Sequence, residues 1–95
     1  MNVTKIEIDG AVYDAASIRL GAAPLLLIRG GRGALGCGYL NVETAGKVEY
    51  PLAIVTGVGD FDAMLTAAVR LVSPAAAALG VTPGMSGREA LKCLK

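Results

Sequence analysis

The chain has 95 residues, with nine Lys plus Arg against eight Asp plus Glu and a net charge of +1. No single-sign field points to nucleic acid or to an anionic membrane surface. Histidine is absent, so a Ser-His-Asp triad, a Cys-His dyad and a His-containing zinc site are all excluded within one chain.

Hydrophobic residues make up 54% of the sequence and charged residues 18%, the latter against about 25% in an average globular domain. A domain this small removes only about 60–65% of its unfolded surface from water. Some of the apolar area must therefore stay exposed or meet another subunit, and a homo-oligomer is expected. The longest greasy run, Pro24 to Ile28, is too short to span a bilayer, and no secretory signal pattern opens the chain. A cytoplasmic protein without a membrane partner is expected. Cys37 and Cys93 are too far apart in sequence for a CxxC motif and read as free thiols, with no metal site and no cofactor motif.

In chain order, Thr4, Ile6 and Ile8 alternate with Lys5 and Glu7, and Asp9-Gly10 supplies a type I′ hairpin turn. The returning strand places Val12, Ala16, Ile18 and Leu20 on one parity and Tyr13, Ser17 and Arg19 on the other, expected to be wet; Asp14 suggests a bulge or bend. Pro24 to Ile28 reads as a central strand buried on both faces. Arg29 to Gly33 reverses the chain, and Ala34 to Val42 resumes as a strand with Leu35, Cys37 and Tyr39 on one face.

Glu43 to Val48 offers one or two helical turns weakened by Gly46, and Pro51 to Val58 reads as another buried strand. Helices follow. Asp60 caps a helix carrying Phe61, Met64, Leu65 and Ala68 on one face. Ser73-Pro74 ahead of four alanines and Gly80 gives an N-cap, a proline at N1 and a C′ glycine. Ser86 and Glu89 form a capping box for a last helix with Ala90, Leu91, Cys93 and Leu94 on its apolar side. Strands first and helices later indicate an α+β fold: a mixed or antiparallel sheet of about five strands, hairpin-rich in its N-terminal half, packed by short C-terminal helices. One domain, 1–95, is expected.

Two groups of residues could carry chemistry. Cys37, with Gly36 and Gly38 beside it, is the candidate catalytic nucleophile, although buried cysteines usually act as small hydrophobes and a thiolate here would need a cation or helix N-terminus. Cys93 reads as packing. Gly84, Ser86, Gly87 and Arg88 combine glycines, a hydroxyl and a guanidinium at a helix start, a candidate site for a carboxylate or phosphate; the plainer reading is a helix cap. Arg29 to Gly33 is a turn rather than an RNA-binding Arg-Gly-Gly tail, and Gly57-Val58-Gly59 lacks the third glycine of a dinucleotide fingerprint. Asp60 and Asp62 are helix-start residues rather than an acid and base pair.

Cys37-Gly38-Tyr39-Leu40-Asn41-Val42, Gly57-Val58 and above all Gly84-Met85-Ser86-Gly87-Arg88-Glu89-Ala90-Leu91 together resemble the YunC-like family, the domain of unknown function 1805. The resemblance spans nearly the whole chain and implies a compact α+β domain with no established activity. It singles out the Cys37-Gly38 and Gly84–Arg88 blocks. Two departures stand out: the Glu43 to Tyr50 connection looks short, and Asn41 stands where relatives are expected to carry an aspartate.

Two functions fit. One is an oligomeric domain that binds a small anionic ligand or a partner at Gly84–Arg88 together with Gly38. The other is a thiol-dependent enzyme in which Cys37 attacks and Arg88 with helix amides stabilises negative charge. Both expect Cys37 and Arg88 to line one small cavity, within a chain or across a subunit boundary. Whether the protein is an enzyme stays open at this level.

Overall fold

The computed structural model describes residues 2–95. Six strands, β1 (Asn2–Ile8), β2 (Ala11–Leu20), β3 (Ala23–Arg29), β4 (Ala34–Gly36), β5 (Leu52–Ile54) and β6 (Leu71–Val72), form one sheet in sequence order. All neighbours are antiparallel except β4 and β5. The connection between that parallel pair carries α1 (Val42–Lys47). After β5 come α2 (Phe61–Thr66), α3 (Pro74–Ala78) and α4 (Gly87–Leu94). The fold is α+β with a mixed sheet, one strand larger than the sequence indicates; the extra strand is the two-residue β6.

Local chemistry explains most element boundaries. Asp9 and Gly10 both take positive φ, 51° and 84°, as a type I′ turn requires, and close the β1–β2 hairpin. Asp60, Ser73 and Ser86 each accept a backbone N–H at a helix start, and Ser86 with Glu89 completes the capping box. Gly80, at φ 101°, releases the chain after α3. Ser73 does more than cap. Fully buried, its hydroxyl also accepts from Leu52 N–H at 2.9 Å and donates to the Tyr50 carbonyl at 2.7 Å, latching α3 to β5.

The main core lies on one face of the sheet, where Tyr13, Ala15, Leu26, Ile28, Leu35 and Ala53 meet Met64 of α2 and Ala90, Leu91 and Leu94 of α4. On the opposite face α1 seals a smaller cluster of Ala34, Ala45, Leu52 and Ile54. This arrangement reverses the expected sidedness of β2. Tyr13 is 1% exposed, and its hydroxyl donates to the Leu91 carbonyl at 2.9 Å, whereas Val12 is 62% exposed. Burial, with the Asp9 carboxylate nearby, raises the Tyr13 phenol above its usual pKa. No bulge occurs at Asp14: the pairing runs without interruption from Asn2 opposite Ser17 to Ile8 opposite Ala11. Asp14 instead points outward and bridges Lys5 and Arg29, each at 2.7 Å.

Other segments differ in length. β3 sits inside the sheet, but only Leu26 and Ile28 of the Pro24–Ile28 run are fully buried; Leu25 and Leu27 are half-buried. β4 ends at Gly36, and the chain then turns and enters α1, so Leu40 and Val42 are not strand residues. Asn41 caps that helix by accepting from Glu43 N–H at 2.7 Å, a role aspartate fills equally well. β5 is confined to three residues, although Val55 stays buried and donates to the Gly36 carbonyl. The Arg29–Gly33 turn owes its glycines to close approach: a Cβ on Gly30 would strike the Leu94 carbonyl, and one on Gly33 the Pro51 carbonyl.

Candidate functional site

β4 and β5 are the parallel pair of this sheet, and ligands of α/β proteins favour the crevice beyond the carboxyl ends of parallel strands. The segment after β4 supplies Cys37, Gly38 and Tyr39. The segment after β5 supplies Gly57, Val58 and Gly59. Together with Ala22, Ala23 and Pro24 from the β2–β3 turn they line a cavity of about 450 Å³, within the size range of small-molecule sites. Two candidates from the sequence, Cys37 and Gly38, therefore meet in one cavity, joined by Tyr39 and the Gly57–Gly59 loop.

Cys37 is 4% exposed and continues the edge of β4: its N–H donates to the Leu26 carbonyl at 3.1 Å, and Leu26 N–H donates back to its sulfur at 3.3 Å. This pairing fixes the thiol against β3. The Tyr39 hydroxyl lies 3.1 Å from the Ala23 carbonyl and 3.3 Å from that of Leu20, so one proton is shared between them and the Cys37 loop is tied to the β2–β3 turn. Across the cavity Gly57 takes φ 71°, and a Cβ at Gly57 or Gly59 would meet open space. Among the described residues, the amides of Gly38, Gly57 and Gly59 have no protein acceptor. The lining contains no Lys, Arg, Asp or Glu, so a nucleophilic Cys37 has neither base nor cation there.

The second block is organised differently. Gly84 N–H donates to the Val69 carbonyl and Gly87 N–H to that of Ala67, while Ser86 N–H and Glu89 N–H are taken by the capping box. A Cβ at Gly87 would fall on the Met64 carbonyl oxygen, so this glycine lets α4 press against α2. Arg88 points to the β1–β2 turn, its Nη1 3.3 Å from Asp9 Oδ1, with Lys92 Nζ 3.6 Å from Asp9 Oδ2. Thus Gly84, Ser86, Gly87 and Arg88 tie α4 to its neighbours, and Arg88 does not line the Cys37 cavity of its own chain. Cys93, half-buried beside Gly80, packs against the core.

Tyr39 and the Gly57–Gly59 loop gain their place in the cavity from topology. Only the pairing of β4 with β5 shows that the segments after them face each other. The available signal was the shared ending of two short apolar runs in glycine.

Comparison with known proteins agrees with this architecture. A solved structure of a protein of unknown function, TA1206 from Thermoplasma acidophilum, superposes with a TM-score of 0.94 at 41% identity, over 99% of this chain and 92% of that one. The uncharacterized protein YunC of Bacillus subtilis (strain 168) is 34% identical over 95 residues, 96% of this chain and 94% of its own. The family model of the domain of unknown function DUF1805 matches residues 36–94, a span that contains both glycine-bearing blocks. The chain belongs to the YunC-like family of DUF1805 proteins.

Proposed function

We propose that this protein is a cytoplasmic binding domain for a small ligand, seated in the cavity between the β4 and β5 loops. The observation that carries the reading is the meeting of two glycine-bearing loops at the carboxyl ends of the parallel pair, with amides of Gly38, Gly57 and Gly59 left without protein acceptors. Backbone N–H groups free of protein acceptors on residues that line one cavity suit an anionic or carbonyl-bearing ligand. Cys37 serves as a wall of the site, held in place by Leu26, rather than as an attacking group. The rival thiol-enzyme reading has less support, because Arg88 is paired with Asp9 and no other cation lines the cavity. The helix-start anion site at Gly84–Arg88 also has less support, since its amides are largely occupied.

The test is titration of the 15N-labelled protein with inorganic phosphate and with small carboxylates, followed by amide shifts. Changes confined to residues 37–39 and 57–59 are expected, together with slower alkylation of Cys37 when the site is filled. Shifts centred on residues 84–89 would move the site to α4. Absence of shifts in both regions would refute anion binding.

A further inference from the structure

A second hollow, of about 380 Å³, adjoins the cavity between the β4 and β5 loops, and Ala22, Ala23, Pro24 and Gly59 belong to both linings. Strand parity decides which side chains enter it. Tyr13 and Ala15 of β2 point into the main core, so Ser17 and Arg19, on the same parity, leave the same face of the sheet where the core has ended. Both line the hollow. Pro24 is paired with Arg19 across β2 and β3, which places this shared lining residue on that face as well. The two hollows therefore open on one side of the sheet. Among the described residues the ion pairs engage Lys5, Arg29, Arg88 and Lys92, and Arg19 belongs to none of them. The lining of the Cys37 cavity carries no charged side chain, and that of the adjoining hollow carries Arg19 alone.

Resting on the ligand reading of the Cys37 cavity, we infer that its ligand has two ends: a neutral, carbonyl-bearing part held by the amides of Gly38, Gly57 and Gly59, and an anionic group, carboxylate or phosphate, held by the Arg19 guanidinium with the Ser17 hydroxyl beside it. The two halves of the site differ in what they can hold. Amides of uncharged loops satisfy a carbonyl oxygen, whereas a negative charge taken out of water needs a counter-charge, and that charge stands in the second hollow. A guanidinium presents its N–H donors as a planar fork, which matches two oxygens of a carboxylate or phosphate. Reach fits as well. β3 alone separates β2 from β4, a span of about 10 Å, so a ligand with a short spacer bridges the loop after β4 and the Arg19 side chain. A free phosphate is small enough to rest on the loop amides alone; a ligand with both groups gains Arg19 as well.

Amide-shift titrations of the 15N-labelled parent, Arg19→Gln and Arg32→Gln test this. Arg32 is an exposed cation in the β3–β4 turn, at the other end of β3 from Pro24, and circular dichroism establishes that both variants are folded, as expected for exposed positions. The probes are N-acetyl-β-alanine, its neutral amide, and N-acetylethanolamine phosphate. Both anions should shift the amides of Gly38, Gly57 and Gly59 together with the side-chain Nε–H of Arg19. Each should bind the parent and Arg32→Gln about tenfold more tightly than Arg19→Gln, the scale of one charged hydrogen-bonding partner. The neutral amide should not distinguish the three proteins. The tighter of the two anions identifies the anionic group as carboxylate or phosphate. Anion binding at Gly38, Gly57 and Gly59 that is unchanged in Arg19→Gln, or reduced equally in Arg32→Gln, overturns the two-ended site and leaves the cavity reading standing. If no probe shifts residues 37–39 and 57–59, the cavity reading and the two-ended site fall together.

Discussion

The two glycine-bearing blocks of this protein use the same residue for opposite ends. In Gly84–Leu91 one glycine lets backbone touch backbone: Gly87 has no room for a Cβ beneath the Met64 carbonyl, and its N–H is spent on Ala67. Gly38, Gly57 and Gly59 have room around them, line a cavity, and carry amides without protein acceptors. A helix start with glycine, serine and arginine looks the better anion site in sequence, because the same signature caps a helix or holds a phosphate. What separates the two uses is the destination of the N–H groups, which only neighbouring segments decide.

The largest expected effect separates the blocks by stability. Gly87→Ala forces α4 away from α2 and should lower stability by about 1–3 kcal/mol or more, read by chemical denaturation. A harmless Gly87→Ala would remove the packing account of this block. Next, Ser86→Ala removes the cap on α4 and should cost about 0.5–2 kcal/mol while leaving phosphate-induced shifts at residues 37–39 and 57–59 in place. Loss of those shifts in a folded Ser86→Ala protein would return the ligand site to α4.

Gly59→Ala meets open space at a negative or extended φ, so its stability should match the parent within about 0.5 kcal/mol. Because its Cβ narrows the cavity, Cys37 alkylation and ligand-induced shifts should change nonetheless. A Gly59→Ala protein indistinguishable from the parent in both would empty the cavity of functional meaning.

The smallest effect lies outside both blocks. The Arg29 guanidinium, and then the Lys5 ammonium, hold the Asp14 carboxyl down from its usual 3.8 to about 2. A carboxylate lowered in the folded state contributes stability that is fully present above its unfolded pKa, near 3.9. The contribution is lost as pH falls from there through about 2. The side chains are exposed, so the change should be slight and weakened by salt. A carbon-detected titration should place Asp14 near 2, and Asp14→Asn should flatten the acid limb of the stability profile. An Asp14 midpoint at 3.8 would mean that the two ion pairs do not persist in solution.

Much of this protein is written in short stretches of sequence. The Asp9-Gly10 turn, the Asp60 and Ser73 caps, the Ser86–Glu89 box and the Gly80 stop each involve groups a few residues apart. Their geometry is therefore decided by backbone sterics and local hydrogen bonds, which are legible without a fold. The α+β class and the family follow from the order of such pieces. The sidedness of β2 was not legible, because both parities carry apolar residues: Tyr13 is buried by reaching Leu91, 78 positions away, and Val12 is left outside. Nor was the end of β4 at Gly36, which depends on where α1 docks over Ala34 and Leu52. Cys37 and Gly38 are readable in the sequence as a pair, but their partners Tyr39 and Gly57–Gly59 are not, and Arg88, which the sequence alone offers to a ligand, pairs with Asp9. Residue type and local spacing determined what each piece can form. The tertiary structure decided which pieces face one another, since burial and the fate of each N–H depend on atoms supplied from far along the chain.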